Sequence, residues 1–240
     1  MVDTPHNSER ISFFGMTRLD EEIKKNVVDH LYWDNRVDAS DLLVEVEEGK
    51  VKISGAVPTL FSRSCAIQDA SDVAGVVEIE SRIEVEHPSS ETPPDDEWVL
   101  ANVQNAIFLN PNVKVSDIEI KVKDGIVTVF GTVDAYWKQL HVEGLVSEQR
   151  GVRGIRNELA VVPTEVYTDQ DIAKAVVGAL GRSAFVNAGD VNVRVKDGNV
   201  TLTGSVPSWS ARHAADEAAF YTVGVKDVTN RITATGMYMG

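Results

Sequence analysis

The chain has 240 residues, 43% of them hydrophobic and 25% charged, which is a globular composition with room for one to three domains. Its formal net charge of −14 opposes recognition of nucleic acid or a strongly anionic membrane through bulk charge alone. A single cysteine, Cys65, excludes an intrachain disulfide and a cysteine-based metal centre. No apolar run approaches the roughly 18 residues of a membrane-spanning helix.

Residues 1–18 form an N-terminal segment with Asp3, His6, Glu9 and Arg10 and no apolar signal core. The expected setting is therefore cytoplasmic, or periplasmic if an export signal has been removed.

From residue 19 onward the sequence repeats itself. Gly49 and Gly55 match Gly125 and Gly131, and these match Gly198 and Gly204. The same two offsets align Val27 with Val103 and Val176, and Leu31 with Ile107 and Leu180. A fixed period of this kind marks repeated structural units. The repeats span 19–85, 95–161 and 168–234, separated by a Pro-rich linker at 86–94 and a short linker at 162–167, with a tail at 235–240.

Each repeat opens with apolar residues at i, i+4 and i+8, such as Ile172, Val176 and Leu180, which predict an amphipathic helix. Thr168 with Asp171 resembles a capping box, and Thr17 with Asp20 is expected to act likewise. Two alternating strands follow, for example Val193 and Val195, then Val200 and Leu202, joined at Asp197-Gly198. Asp-Gly suits a two-residue hairpin turn, and Glu48-Gly49 in repeat 1 is a weaker version. Asp41, Asp117 and Asp190 recur ahead of the first strand and read as turn residues bonding their own backbone. Gly55, Gly131 and Gly204 sit on the core-facing side of the second strand, where the second helix is expected to cross close by. That helix is expected over about 208–223 in repeat 3, with Gly75, Gly151 and Gly224 as left-handed caps. A last strand closes each unit. The fold class is α+β: three tandem α-β-β-α-β modules, each a three-stranded mixed sheet with two helices on one face.

The core pattern Val-x-Val-x-(Asp/Glu)-Gly-x-Val-x-(Leu/Ile/Val)-x-Gly-x-Val runs over 193–206, and in related form over 120–133 and 44–57. With the later Gly-Val at 75–76, 151–152 and 224–225, it resembles the BON domain of bacteria. The resemblance implies a non-catalytic protein tied to osmotic or other stress, to transport and to the envelope. It also implies attachment to phospholipid or to envelope proteins.

Where the copies diverge, several candidates emerge. The corner entering the second helix carries Leu60-Phe61, Tyr136-Trp137 and Trp209. These read either as contacts to a membrane or protein partner or as hydrophobic staples fixing the helix entry. Ile126 and Phe130 lie on the outward face of the second strand of repeat 2, which predicts packing against another module or a second copy. Arg150, Arg153 and Arg156 could meet phosphate headgroups or pair with Glu148 and Glu158. The acid is concentrated at the N-terminal end: the repeats carry net charges of −8, −3 and 0, from 15, 10 and 7 acidic residues against 7 basic residues each.

Catalysis finds little support. The five histidines show no metal-ligand spacing, and there is no phosphate loop or nucleophile elbow. Cys65 reads as a small apolar filler. The expectation is a chain with no cofactor, no metal and no nucleic acid, binding a phospholipid surface or a protein partner. The alternative is a homo-oligomer assembled through repeat 2 without lipid.

Overall fold

The computed structural model describes residues 8–86, 94–113 and 118–236, with side chains from Leu19 onward. Repeat 1 comprises α1 (Ser8–Trp33), β1 (Leu43–Glu47), β2 (Lys50–Val57), α2 (Leu60–Ser71) and β3 (Glu78–Val85). Repeat 2 comprises α3 (Asp96–Phe108), β4 (Ile118–Lys123), β5 (Ile126–Val133), α4 (Tyr136–Ser147) and β6 (Gly154–Val161). Repeat 3 comprises α5 (Asp169–Leu180), β7 (Val191–Lys196), β8 (Asn199–Val206), α6 (Trp209–Phe220) and β9 (Asp227–Ala234).

Each module has its own sheet, with the second strand in the middle. The hairpin partner is antiparallel and the closing strand parallel, for example Val193↔Leu202 and Leu202↔Asn230. The second helix supplies the crossover that a parallel pair requires. Alternation then sorts the central strand: Val51 and Ile53 are buried with Ile23, Val27 and Leu31, and Val200 and Leu202 with Ile172, Val176 and Leu180. In α6 the buried positions are alanines, Ala211, Ala215 and Ala219, which let the helix lie close to the sheet.

All three hairpin turns have positive φ at both central residues, including Glu48 at 52° beside Gly49 at 74°. This is the turn whose twist matches the flanking strands. A carboxylate from the first helix braces each turn. Asp20 accepts hydrogen bonds from the amides of Glu48 (3.2 Å) and Gly49 (3.0 Å). Asp96 does so from Asp124 and Gly125 at 2.8 and 2.9 Å. Asp169 does so from Asp197 and Gly198 at 2.9 and 3.0 Å. Each carboxylate ties the first helix to the hairpin.

Several local expectations are corrected. α1 starts at Ser8, so Thr17 lies inside a helix rather than capping one, and Asp20 is the hairpin clamp. Thr168 does cap α5, accepting from the Asp171 amide at 3.2 Å. The close approach at the strand glycines comes from a loop carbonyl, not the second helix. A Cβ on Gly55 would lie 2.0 Å from the Asp41 carbonyl oxygen, and one on Gly204 2.0 Å from that of Asp190. The side chains that bond the neighbouring backbone there are Asp38, to the Ser40 amide, and Asn187, to the Gly189 amide. Asp117 lies outside the described residues. α6 ends at Phe220 with Tyr221 as a right-handed cap, so Gly224 serves the turn into β9 at φ 85° and not the helix end.

Candidate interaction surfaces

The corner residues divide by direction. Leu60 is 5% exposed and belongs to the core of repeat 2, although its helix belongs to repeat 1. Tyr136, its counterpart in repeat 2, packs on the core of repeat 3. Burial pushes its phenol up to about 12, with Asp227 and Asp216 of repeat 3 adding to the shift. Trp209, the counterpart in repeat 3, packs on the core of repeat 1, and its amide donates to the Val76 carbonyl at 3.2 Å. Arg212 covers its ring at 4.6 Å. The first residue of each second helix thus inserts into the next module, and the third insertion returns to the first. Repeated head-to-tail joints that close on themselves make a ring. Phe61 and Trp137, one residue further on, are half-buried: Phe61 rests on its own module, and Trp137 lies beside His141 and Lys138.

Ile126 and Phe130 are also half-buried. Ile126 reaches over Gly154 on the neighbouring strand, where an added Cβ would meet its Cδ1 at 2.8 Å, and Lys121 lies 5.0 Å above the Phe130 ring. Arg150, Arg153 and Arg156 are all exposed. They run from the turn after α4 to the third residue of β6.

Among the exposed large apolar residues, which also include Val166 in the second linker and Leu43 on β1, a recurrent group lies at and just beyond the C-terminal ends of the first helices. Tyr32 and Trp33 end α1 at 73% and 79% exposure, their rings 5.4 Å apart. Phe108 and Leu109, at the equivalent positions, end α3 at 68% and 77%, and Phe185 follows α5 at 70%. The sequence held a signal for these: each apolar pair follows the last core residue of its helix, Leu31 or Ile107, where the helical period no longer accounts for it.

Electrostatics single out one further cluster. In repeat 1 Arg36 bonds Asp34, holding that carboxyl down at about 2. Asp69 on α2 is buried 3.9 Å from Arg36, and burial followed by the Asp34 charge pushes it up to about 6. Repeat 2 places Asn110 and His141 at 2.9 Å in the corresponding space between the helices. In repeat 3 that space is open, lined by Ala175, Ala179, Ala214 and Ala218 and flanked by Phe185 and Tyr221. Among the described residues no group of three or more His, Cys, Asp or Glu side chains is placed to hold a metal ion, and no helix is long and apolar enough to cross a membrane.

The BON domain model matches three times, over residues 19–87, 95–163 and 168–236. The chain belongs to the BON domain family. Each match is one α-β-β-α-β module of the ring. Among characterised proteins, the chain is similar to Osmotically-inducible protein Y of Escherichia coli. The two are 28% identical over 149 residues, covering 57% of this chain and 71% of that protein. Among solved structures it is similar to CdsD, a structural protein of the type III secretion system of Chlamydia trachomatis. Identity is 15%, coverage 89% and 92%, and the TM-score 0.24. The CdsD C-terminal domain gives 16% identity, coverage of 87% and 95%, and the same TM-score of 0.24.

Proposed function

We propose that this three-BON chain is a non-catalytic binding scaffold that docks to a phospholipid surface through the ends of its first helices. The supporting observation is the solvent exposure of Tyr32, Trp33, Phe108, Leu109 and Phe185. In a head-to-tail ring, equivalent positions stand at one level along the axis, which puts the Tyr32–Trp33 and Phe108–Leu109 pairs on one side; repeat 3 has Gly181 and Arg182 at those positions and adds Phe185 from the loop after α5. Trp and Tyr suit the interfacial layer of a bilayer, and full burial of one large apolar side chain contributes roughly 1.5–3 kcal/mol. Shallow contacts of this kind give reversible attachment, not anchoring. The acidic charge of repeats 1 and 2 favours neutral lipid. Similarity to an osmotically inducible protein supports a role under osmotic stress.

The corner residues Leu60, Tyr136 and Trp209 serve the joints in the closed ring, so their contact with lipid or partner requires a joint to open. The test is flotation with neutral and with anionic liposomes. A Trp33→Ala/Leu109→Ala/Phe185→Ala variant is expected to stay folded and lose flotation, while Phe61→Ala/Trp137→Ala keeps it. Wild-type protein that fails to float at low salt ends the lipid reading and leaves a soluble protein scaffold. Half-burial of Ile126 and Phe130 on an outer sheet face supports the second reading, a homo-oligomer through repeat 2. An unchanged sedimentation mass on Phe130→Ser would reject it.

A further inference from the structure

We propose that the seam between repeats 3 and 1 opens and re-forms between two copies of the chain, so that Trp209 of one copy seats in repeat 1 of another. The three joints use equivalent residues, Leu60, Tyr136 and Trp209. Two of them are tethered by the linkers at 86–94 and 162–167. The third joins the two ends of the repeat array and has no linker. Leu60 is buried in its joint, and Tyr136 and Trp209 are both half-buried in theirs, so the absence of a linker is what sets this joint apart. Among the described residues its holds include the Trp209 ring, the amide bond to Val76, and the C-terminal stretch, which brings Gly236 against Val77.

A head-to-tail interface closes into a ring within one chain or runs on between chains, with the same contacts in both cases. Exchange therefore creates no new interface and loses none. What decides between the two is concentration: tethering through the chain gives the internal seam an effective concentration on the order of millimolar. The closed monomer dominates in dilute solution, and linked copies grow in as the protein approaches that range. The partner is a second copy of this chain, and the receiving surface is the Val76–Val77 turn of repeat 1 with the core beneath it.

One cysteine pair reads both states. A Cβ on Gly236 would lie 4.0 Å from the Cβ of Val77, within disulfide range. A Cys65→Ala/Val77→Cys/Gly236→Cys chain is held reduced at a series of concentrations, oxidised with glutathione disulfide, and run on a non-reducing gel. The expected result is an intrachain-linked monomer in dilute samples and a ladder of interchain-linked dimers and longer species at high concentration. Mixing Cys65→Ala/Val77→Cys chains with Cys65→Ala/Gly236→Cys chains should give crosslinked heterodimers in excess over either homodimer. Adding Trp209→Ala to the mixture, with folding checked by circular dichroism, should reduce them several-fold. Intrachain monomer alone at every concentration overturns the proposal, as does the absence of any crosslink in folded protein. Heterodimers unaffected by Trp209→Ala remove Trp209 from the seam.

Discussion

A carboxylate on each first helix, at its first residue in repeats 2 and 3 and inside it in repeat 1, does more for the module than a helix cap. Asp169 holds two consecutive turn amides that face away from any strand partner, and Asp20 and Asp96 do the same. Charge-assisted bonds of this kind are roughly twice as strong as neutral ones. Asp169→Ala should cost about 1–2 kcal/mol, read as a lower urea midpoint. Asp69 is a different case, a buried acid facing Asp34, Arg36, His30 and Cys65. Its folded value of about 6 stands above the ordinary aspartate value of 3.8. Its contribution to stability is therefore present below pH 3.8 and lost as pH rises through about 6. Asp34, held at about 2, works in the opposite sense: its contribution is present above pH 3.8 and lost as pH falls towards 2. Asp69→Asn should thus stabilise the protein by about 1 kcal/mol at pH 8, allowing for partial solvent screening, and leave it nearly unchanged at pH 4. A urea midpoint measured at both pH values checks this.

Within a module, the elements meet where side chains are smallest. The loop before the first strand presses its carbonyl onto the second strand at Gly55 and Gly204, whose φ values of 125° and 140° also disfavour any side chain. Gly204→Ala should therefore destabilise repeat 3 by about 3 kcal/mol or more, because both strain and a backbone clash must be relieved. A matched Gly178→Ala, on the exposed surface of α5 with only the flexible end of Arg182 nearby, should be neutral or slightly stabilising. Thermal melts of the two variants separate a constrained glycine from an incidental one.

Each joint between the three modules is centred on an inserted side chain, so it carries stability from one repeat to the next. Leu60 belongs to repeat 1 by sequence and to repeat 2 by packing. Leu60→Ala should cost about 2–4 kcal/mol. Its distinguishing effect should be faster amide exchange in α3 and α4 than in α5. Loss of protection confined to repeat 1 would show that the joint does not couple the modules.

The modules themselves were legible in the sequence because local physics determines them. Helical spacing at Ile172, Val176 and Leu180, strand alternation at Val200 and Leu202, and the Asp-Gly turns all act within a few residues and recur three times. Close approach at Gly55 and Gly204 was also signalled, but not its source, since a glycine records that something comes near without recording what. Asp20, Asp96 and Asp169 recur in register, yet their partners lie 28 and 29 residues away, beyond any local pattern. Leu60, Tyr136 and Trp209 were visible as large residues at a helix entry. Whether they face solvent, their own module or the next depended on how the three modules dock. Ring closure was decided only in the tertiary structure, because it rests on contacts between the two ends of the repeat array that no neighbouring residue specifies.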